Sequence, residues 1–151
     1  DKTDDISEVE LIELETNQGD IIARGFILHH SYLGAINDAK VNGLRVRSGN
    51  IQVGDNDAFR ALFKQERFNS WCIGEFHILD KRIKANGRRD GFEHNKHFYN
   101  FLDYLKPVSL KLSKIIEDTS EYMLVTGLSE KEKIIIVGQQ YVSNGEKVNF
   151  E

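Results

Sequence analysis

Cysteine, proline and methionine occur once each in this chain of 151 residues. The lone thiol, Cys72, excludes an intramolecular disulfide, and its setting in Trp71-Cys72-Ile73 predicts a buried, inert sulfur in a reducing, cytoplasmic compartment. A solitary proline, Pro107, argues against long disordered linkers. Because the sole methionine is Met123, the chain has no initiator and reads as a domain cut from a longer polypeptide. No run approaches the roughly 18–20 apolar residues of a membrane span. Nor does a charged start lead into an apolar middle, as in a signal peptide.

The remaining composition is that of an ordinary globular domain, 40% hydrophobic and 29% charged. At this length a single core can form without disulfide or metal staples. The net charge of −4 hides an asymmetry. Asp1, Asp4, Asp5, Glu8, Glu10, Glu13, Glu15 and Asp20 stand against Lys2 alone at the start of the chain. A sequence pI of about 5.8 argues against a generic nucleic-acid binder, while leaving room for a local anion site.

Val9 to Glu15 alternates apolar with acidic residues, Asn17-Gln18-Gly19-Asp20 supplies turn chemistry, and Ile21 to His29 is again strand-like, which predicts a β-hairpin. Gly43 to Arg47 and Asn50 to Val53 predict one bulged strand or a tight pair. Asp55 caps an expected amphipathic helix carrying Ala58, Phe59, Leu62 and Phe63 and ending near Arg67, with Arg60, Lys64 and Arg67 on its solvated side. Trp71 to Leu79 reads as an interior strand. A further helix is expected from Asp90, through Phe92, Phe98, Phe101, Leu102 and Leu105, stopping near Lys106 because Pro107 disfavours helix in the residue before it. Pro107 then opens a second helix to about Thr119, followed by strands at Tyr122 to Thr126 and Ile134 to Val137. The fold class is therefore α+β, a two-layer mixed β-sheet with helices on one face. Residues 1–120 form one domain, and 121–151 a C-terminal β extension or the start of a following domain.

Familiar catalytic signatures are missing. The chain holds neither Gly-x-x-x-x-Gly-Lys-Ser/Thr nor Gly-x-Gly-x-x-Gly nor Gly-x-Ser-x-Gly. His94 and His97 share a helical face but lack a third ligand, His29 and His30 point to opposite sides of a strand, and His77 on an apolar strand reads as structural, so no metal site is expected. Phe59, Phe63, Phe68, Trp71 and Phe76 have the spacing of core aromatics rather than of a base-stacking platform.

What stands out is Lys81 to Asp90, with Lys81, Arg82, Lys84, Arg88 and Arg89 around an Asn86-Gly87 pair that permits positive φ. Asp90 and Glu93 suit a helix N-terminus, which would hold the two arginines at the mouth of a rigid element. A planar guanidinium on such a turn gives bidentate, charge-assisted hydrogen bonds to phosphate. Two other readings of the basic loop 81–90 are a nucleic-acid-binding module and a protein-interaction module facing an acidic partner.

The runs Gly43 to Asp55, Glu66 to His77 and Asn86 to Glu93 resemble the middle domain of bacterial heat shock protein 90-like ATPases, of the wider gyrase, chaperone, histidine-kinase and MutL class. In those chaperones a strand with Gly-Val-Val-Asp-Ser leads to Leu-Pro-Leu-Asn-Val-Ser-Arg-Glu. Here Ile73 to Asp80 leads to Asn86-Gly87-Arg88-Arg89-Asp90 in similar order and chemistry. The resemblance is best over residues 43–100 and ends by Lys106.

It implies a ribosomal S5 domain 2-like transducer fold and a non-catalytic role in an ATP-driven chaperone. It further implies an arginine reaching the γ-phosphate of ATP held, with Mg, on a preceding nucleotide-binding domain. Aligning Asn86 and Asp90 makes Arg89 that residue and Asn86 its companion in cofactor binding. Arg88 stands where the family has Ser, Asp90 replaces Glu and Lys84-Ala85 replaces Pro-Leu, so Arg88 is the second candidate. The implied partners are the preceding ATP-binding domain, a client protein, and a second copy of the full-length protein.

Overall fold

The computed structural model describes residues 6–128, with side chains as far as Glu121. Five strands form one sheet: β1 (Glu8–Glu15), β2 (Ile21–His29), β3 (Gly43–Ser48), β4 (Ile51–Val53) and β5 (Ile73–Ile78), in the order β1-β2-β5-β3-β4. β3 runs parallel to β5 and every other pair is antiparallel, so the sheet is mixed. One long helix, α1 (Lys96–Leu128), completes an α+β architecture. The chain divides into two compact units, residues 1–116 and 117–151, and the sheet belongs to the first. Among the described residues no helix is long and apolar enough to cross a membrane.

The period-two pattern sorts the strands into two faces. Ala23 and Ile27 of β2, Leu44 and Val46 of β3 and Phe76 of β5 are fully buried, against Phe101, Leu105, Leu112 and Ile116 from α1. Burying each such side chain contributes about 1.5–3 kcal/mol. Arg24, Arg45, Arg47, Glu75 and His77 occupy the opposite face by register. The close approach of β2 to β5 requires Gly25, because a Cβ there would strike the Glu75 carbonyl oxygen and the Phe76 ring. Cys72 and four of the core aromatics, Phe59, Phe63, Phe68 and Phe76, are buried as their spacing implies, while Trp71 is half-buried. Burial pushes the Cys72 thiol up to about 12, which keeps it unreactive.

A hydrogen-bonded chain ties α1 to the hairpin. Lys111 Nζ donates to Glu10 Oε2 (2.9 Å), His29 Nε2 meets Glu10 Oε1 (2.8 Å), and the Tyr32 hydroxyl meets His29 Nδ1 (2.8 Å). With Nε2–H donating to the carboxylate, Nδ1 accepts a hydrogen bond from the Tyr32 hydroxyl. Burial works to raise the Glu10 carboxyl, but the bonds from Lys111 and His29 outweigh it and hold it below its ordinary value. A carboxyl lowered in this way stabilises the fold above the ordinary carboxylate range and loses that contribution as pH falls through its own titration.

Three expectations change. The segment after Asp55 is not an α-helix but two 3-10 turns, Arg60–Leu62 and Glu66–Trp71, separated by extended backbone at Phe63 and Gln65. Phe59, Phe63 and Phe68 are spaced by four and then five, and all three are buried. A continuous helix would turn one of them away from the core. The Lys64 N–H is instead taken by Ser113 Oγ of α1 (3.1 Å).

Pro107 does not end a helix, since α1 passes through it. The buried positions Phe101, Leu105, Ser109, Leu112 and Ile116 keep one helical stripe across the proline. Their burial outweighs the roughly 3 kcal/mol that proline costs in a helix interior. Tyr122 to Thr126 is likewise helical rather than a strand, and Ile134 to Val137 lies outside the described residues.

The crossover from β4 to β5 is pinned by Asn69, which is fully buried. Its Oδ1 accepts from Leu44 N–H (3.1 Å), while its Nδ2 donates to the Asn56 carbonyl (2.7 Å) and to Asp57 Oδ1 (3.1 Å). Asn69→Ala strands the buried Leu44 N–H and the half-buried Asn56 carbonyl, so it is expected to cost about 2–4 kcal/mol in urea unfolding. An unchanged midpoint would show that water takes over those bonds.

Candidate functional site

β5 ends at Ile78, and the chain is then held to β2 by Leu79 N–H and Asp80 N–H, both donating to the Ile22 carbonyl (2.8 and 3.2 Å). The basic loop that follows is a small hairpin. Ala85 pairs antiparallel with Phe92, Glu93 N–H donates to the Lys84 carbonyl (2.8 Å), and Asn86 N–H to the Gly91 carbonyl (2.9 Å). Ile83 and Phe92 are buried and root its two arms in the core, with Phe92 stacked on Phe98 of α1 at 5.4 Å.

This hairpin replaces the expected helix start at Asp90. α1 begins at Lys96, and its cap is Asn95, whose Oδ1 accepts from the N–H groups of His97 and Phe98 (both 3.0 Å). Asp90 instead receives the Asn86 side-chain amide on Oδ1 (2.8 Å). Asn86 is therefore a brace inside the loop, and its own Oδ1 is buried without a hydrogen-bond partner.

The left-handed residue in this turn is Arg89 (φ 60°), not Gly87. Two backbone bonds hold Arg89 there: its N–H donates to the Asn86 carbonyl (3.1 Å), and its carbonyl accepts from Gly54 N–H (3.1 Å) at the end of β4. An arginine in that region costs on the order of 1 kcal/mol or more, so the surrounding contacts impose the geometry. The strain aims an exposed guanidinium outward from an anchored backbone.

The five cations divide unequally. Arg82 is committed to Asp80 by a two-pronged pair, Nε to Oδ1 at 3.0 Å and Nη2 to Oδ2 at 2.9 Å. That guanidinium holds the Asp80 carboxyl below its ordinary value, against the burial that pushes it up. Arg88 only approaches Asp90, at 3.9 Å, with its side chain 86% exposed. The side chains of Arg89, Lys81 and Lys84 form no hydrogen bond or ion pair with the described residues. Lys81 and Lys84 line a groove of about 500 Å³ between the Ser48-Gly49 turn and the loop.

A second cleft, also about 500 Å³, includes Asp80 and Arg82 with Asp20, Lys96, His97 and Asp103. Its three carboxylates outnumber Arg82 and Lys96, so it carries no preference for an anion. His94 stacks on Phe98 at 5.6 Å, and among the described residues no group of three or more His, Cys, Asp or Glu side chains is placed to hold a metal ion. His77 is bonded to Glu75 Oε2 (2.8 Å) as a structural histidine would be, but on the exposed face.

The sequence flagged all five loop cations and Asn86 but not the groove that Lys81 and Lys84 line, because their nearness to the Ser48-Gly49 turn depends on β3 lying beside β5. Gly54, which fixes the Arg89 carbonyl, carried no chemical signal either. The sequence matches no protein-family model, and a comparison with curated proteins found no relative.

Arg89→Gly removes the left-handed penalty and no side-chain bond. It is expected to leave the fold intact and raise its stability by up to about 1 kcal/mol, measured by urea unfolding. A loss of stability would mean that the guanidinium holds the loop down.

Proposed function

We propose that this chain is the middle, transducer-type domain of a heat shock protein 90-like, ATP-driven chaperone of the cytoplasm, with a ribosomal S5 domain 2-like fold. In this reading Arg89, seconded by Arg88, meets the γ-phosphate of an ATP bound with Mg on a preceding domain. The observation that carries the reading is the unequal commitment of the loop cations. Of Lys81, Arg82, Lys84, Arg88 and Arg89, only Arg82 is tied to a close acid.

A second observation supports it. The three runs that carry the resemblance touch one another: β3 pairs with β5, Asn69 holds Leu44, and Gly54 holds Arg89. A phosphate at Arg89 would therefore pull on β4, and through β3 on the centre of the sheet. Such a linkage suits a domain that turns nucleotide occupancy into movement. Asn86 acts in this scheme by fixing the loop through Asp90, and the chain alone neither binds ATP tightly nor hydrolyses it.

The test is steady-state ATP hydrolysis by a polypeptide that carries the nucleotide-binding domain ahead of this one. An arginine supplied in trans is worth roughly 10³–10⁵ in GTPases, and a residue that also couples domains should contribute less. Arg89→Ala is expected to lower turnover by about 10- to 1,000-fold with nucleotide binding retained, and Arg88→Ala by less. Full activity in both variants would remove the proposal.

A further inference from the structure

Asn-Gly occurs twice among the described residues, at Asn42-Gly43 and Asn86-Gly87, and a third pair, Asn144-Gly145, lies outside them. The dipeptide is chemically unstable wherever its geometry is free. The backbone nitrogen after an asparagine can attack the side-chain amide carbon, and glycine puts no Cβ in the way of the ring that forms. Folding decides whether the attack can happen, and the two pairs sit in opposite surroundings.

At Asn42-Gly43 the reacting groups are all held. Asn42 is buried, its Nδ2 donates to the Ile36 carbonyl (2.6 Å), and its Oδ1 accepts from Asn56 Nδ2. The Gly43 N–H is committed to the Cys72 carbonyl (2.7 Å). At Asn86-Gly87 the nucleophile is free. Gly87 is exposed, its N–H meets no acceptor among the described residues, and nothing lies within 4 Å of where a Cβ would stand. Asn86 Oδ1 has no partner, so the amide is kept in place by one bond alone, from Nδ2 to the exposed Asp90 carboxylate (2.8 Å). Arg88 and Arg89 follow directly, and positive charge nearby favours loss of a proton from the attacking nitrogen.

We propose that Asn86 is a site of spontaneous covalent modification, at which the loop converts its own amide into a carboxylate. The Gly87 nitrogen loses its proton and bonds to Asn86 Cγ, the Cγ–Nδ2 bond breaks, and Nδ2 leaves as ammonia carrying that proton. Water then opens the cyclic imide at one of its two carbonyls, which leaves aspartate or isoaspartate at position 86. Either product removes the amide donor and sets a second carboxylate against Asp90, so the brace of the loop becomes a repulsion. Isoaspartate also lengthens the main chain by one methylene and displaces the carbonyl that accepts the Arg89 N–H. The chemistry is the same whatever Arg89 binds.

The test is to age the full chain in mildly alkaline buffer and cleave it after glutamate, which isolates residues 76–93 with Asn86 as the only asparagine. That fragment is expected to show the mass change of amide to acid and to accept methyl groups from an isoaspartate-specific methyltransferase, while Asn42 stays intact. Gly87→Ala, whose Cβ meets nothing, should slow the conversion about tenfold or more without shifting the melting temperature. Hydrogen exchange at the Arg89 amide should quicken on ageing, and Asn86→Asp should quicken it without ageing. An unmodified Asn86, equal conversion at Asn42 or an unchanged rate in Gly87→Ala would each overturn the inference, and an Arg89 amide that exchanges no faster would overturn its consequence for the loop.

Discussion

Everything in the sheet depends on how β3 and β5 come to lie parallel. Parallel neighbours need a crossover, and here it runs from Gly54 to Cys72 with no α-helix to stiffen it. Asn69 does that work with one side chain. It joins the start of β3 to the turn at Asn56 and Asp57 from within the second 3-10 turn. Gly43, at φ 95°, lies so close to the Asn56 carbonyl that no Cβ fits, and its N–H closes the circuit on the Cys72 carbonyl (2.7 Å). A buried amide can hold such a junction because donor and acceptor are both used, which makes removing either half costly.

The parts of the fold that depend on short-range pattern were legible. The β1–β2 hairpin follows from alternation around an Asn-Gln-Gly-Asp turn, and β5 from its apolar run. The tight-pair option for 43–53 is the one observed, with Gly49 at φ 65° in the bend. Long-range demands hid the rest. Phe59 and Phe63 gave a helical signal, yet Phe68 and the Ser113 hydroxyl draw the chain into broken 3-10 turns. Pro107 signalled a stop that burial on both sides of it overrides.

The basic loop was legible as chemistry and misjudged as geometry. Its arginines were evident from the sequence, but an Asn-Gly pair draws attention to the wrong residue when the left-handed position is set by a contact from elsewhere. Gly54 lies 35 residues before Arg89 in the sequence and still fixes its backbone. The Asp-x-Arg spacing of Asp80 and Arg82 held a readable clue, since a two-residue separation lets the pair close upon itself and leaves the other cations outward.

Trp71 is the only tryptophan in the chain, two residues beyond Asn69 at the end of the crossover. Its indole sits edge-on to Phe68, with ring centroids 6.3 Å apart, and its carbonyl is bonded to His30 Nε2 (2.8 Å). The molecule thus carries its own optical reporter at the junction that the sheet depends on. The emission of that single fluorophore follows the opening and closing of the crossover without any label, and a quencher's access to it distinguishes a loosened junction from a lost fold.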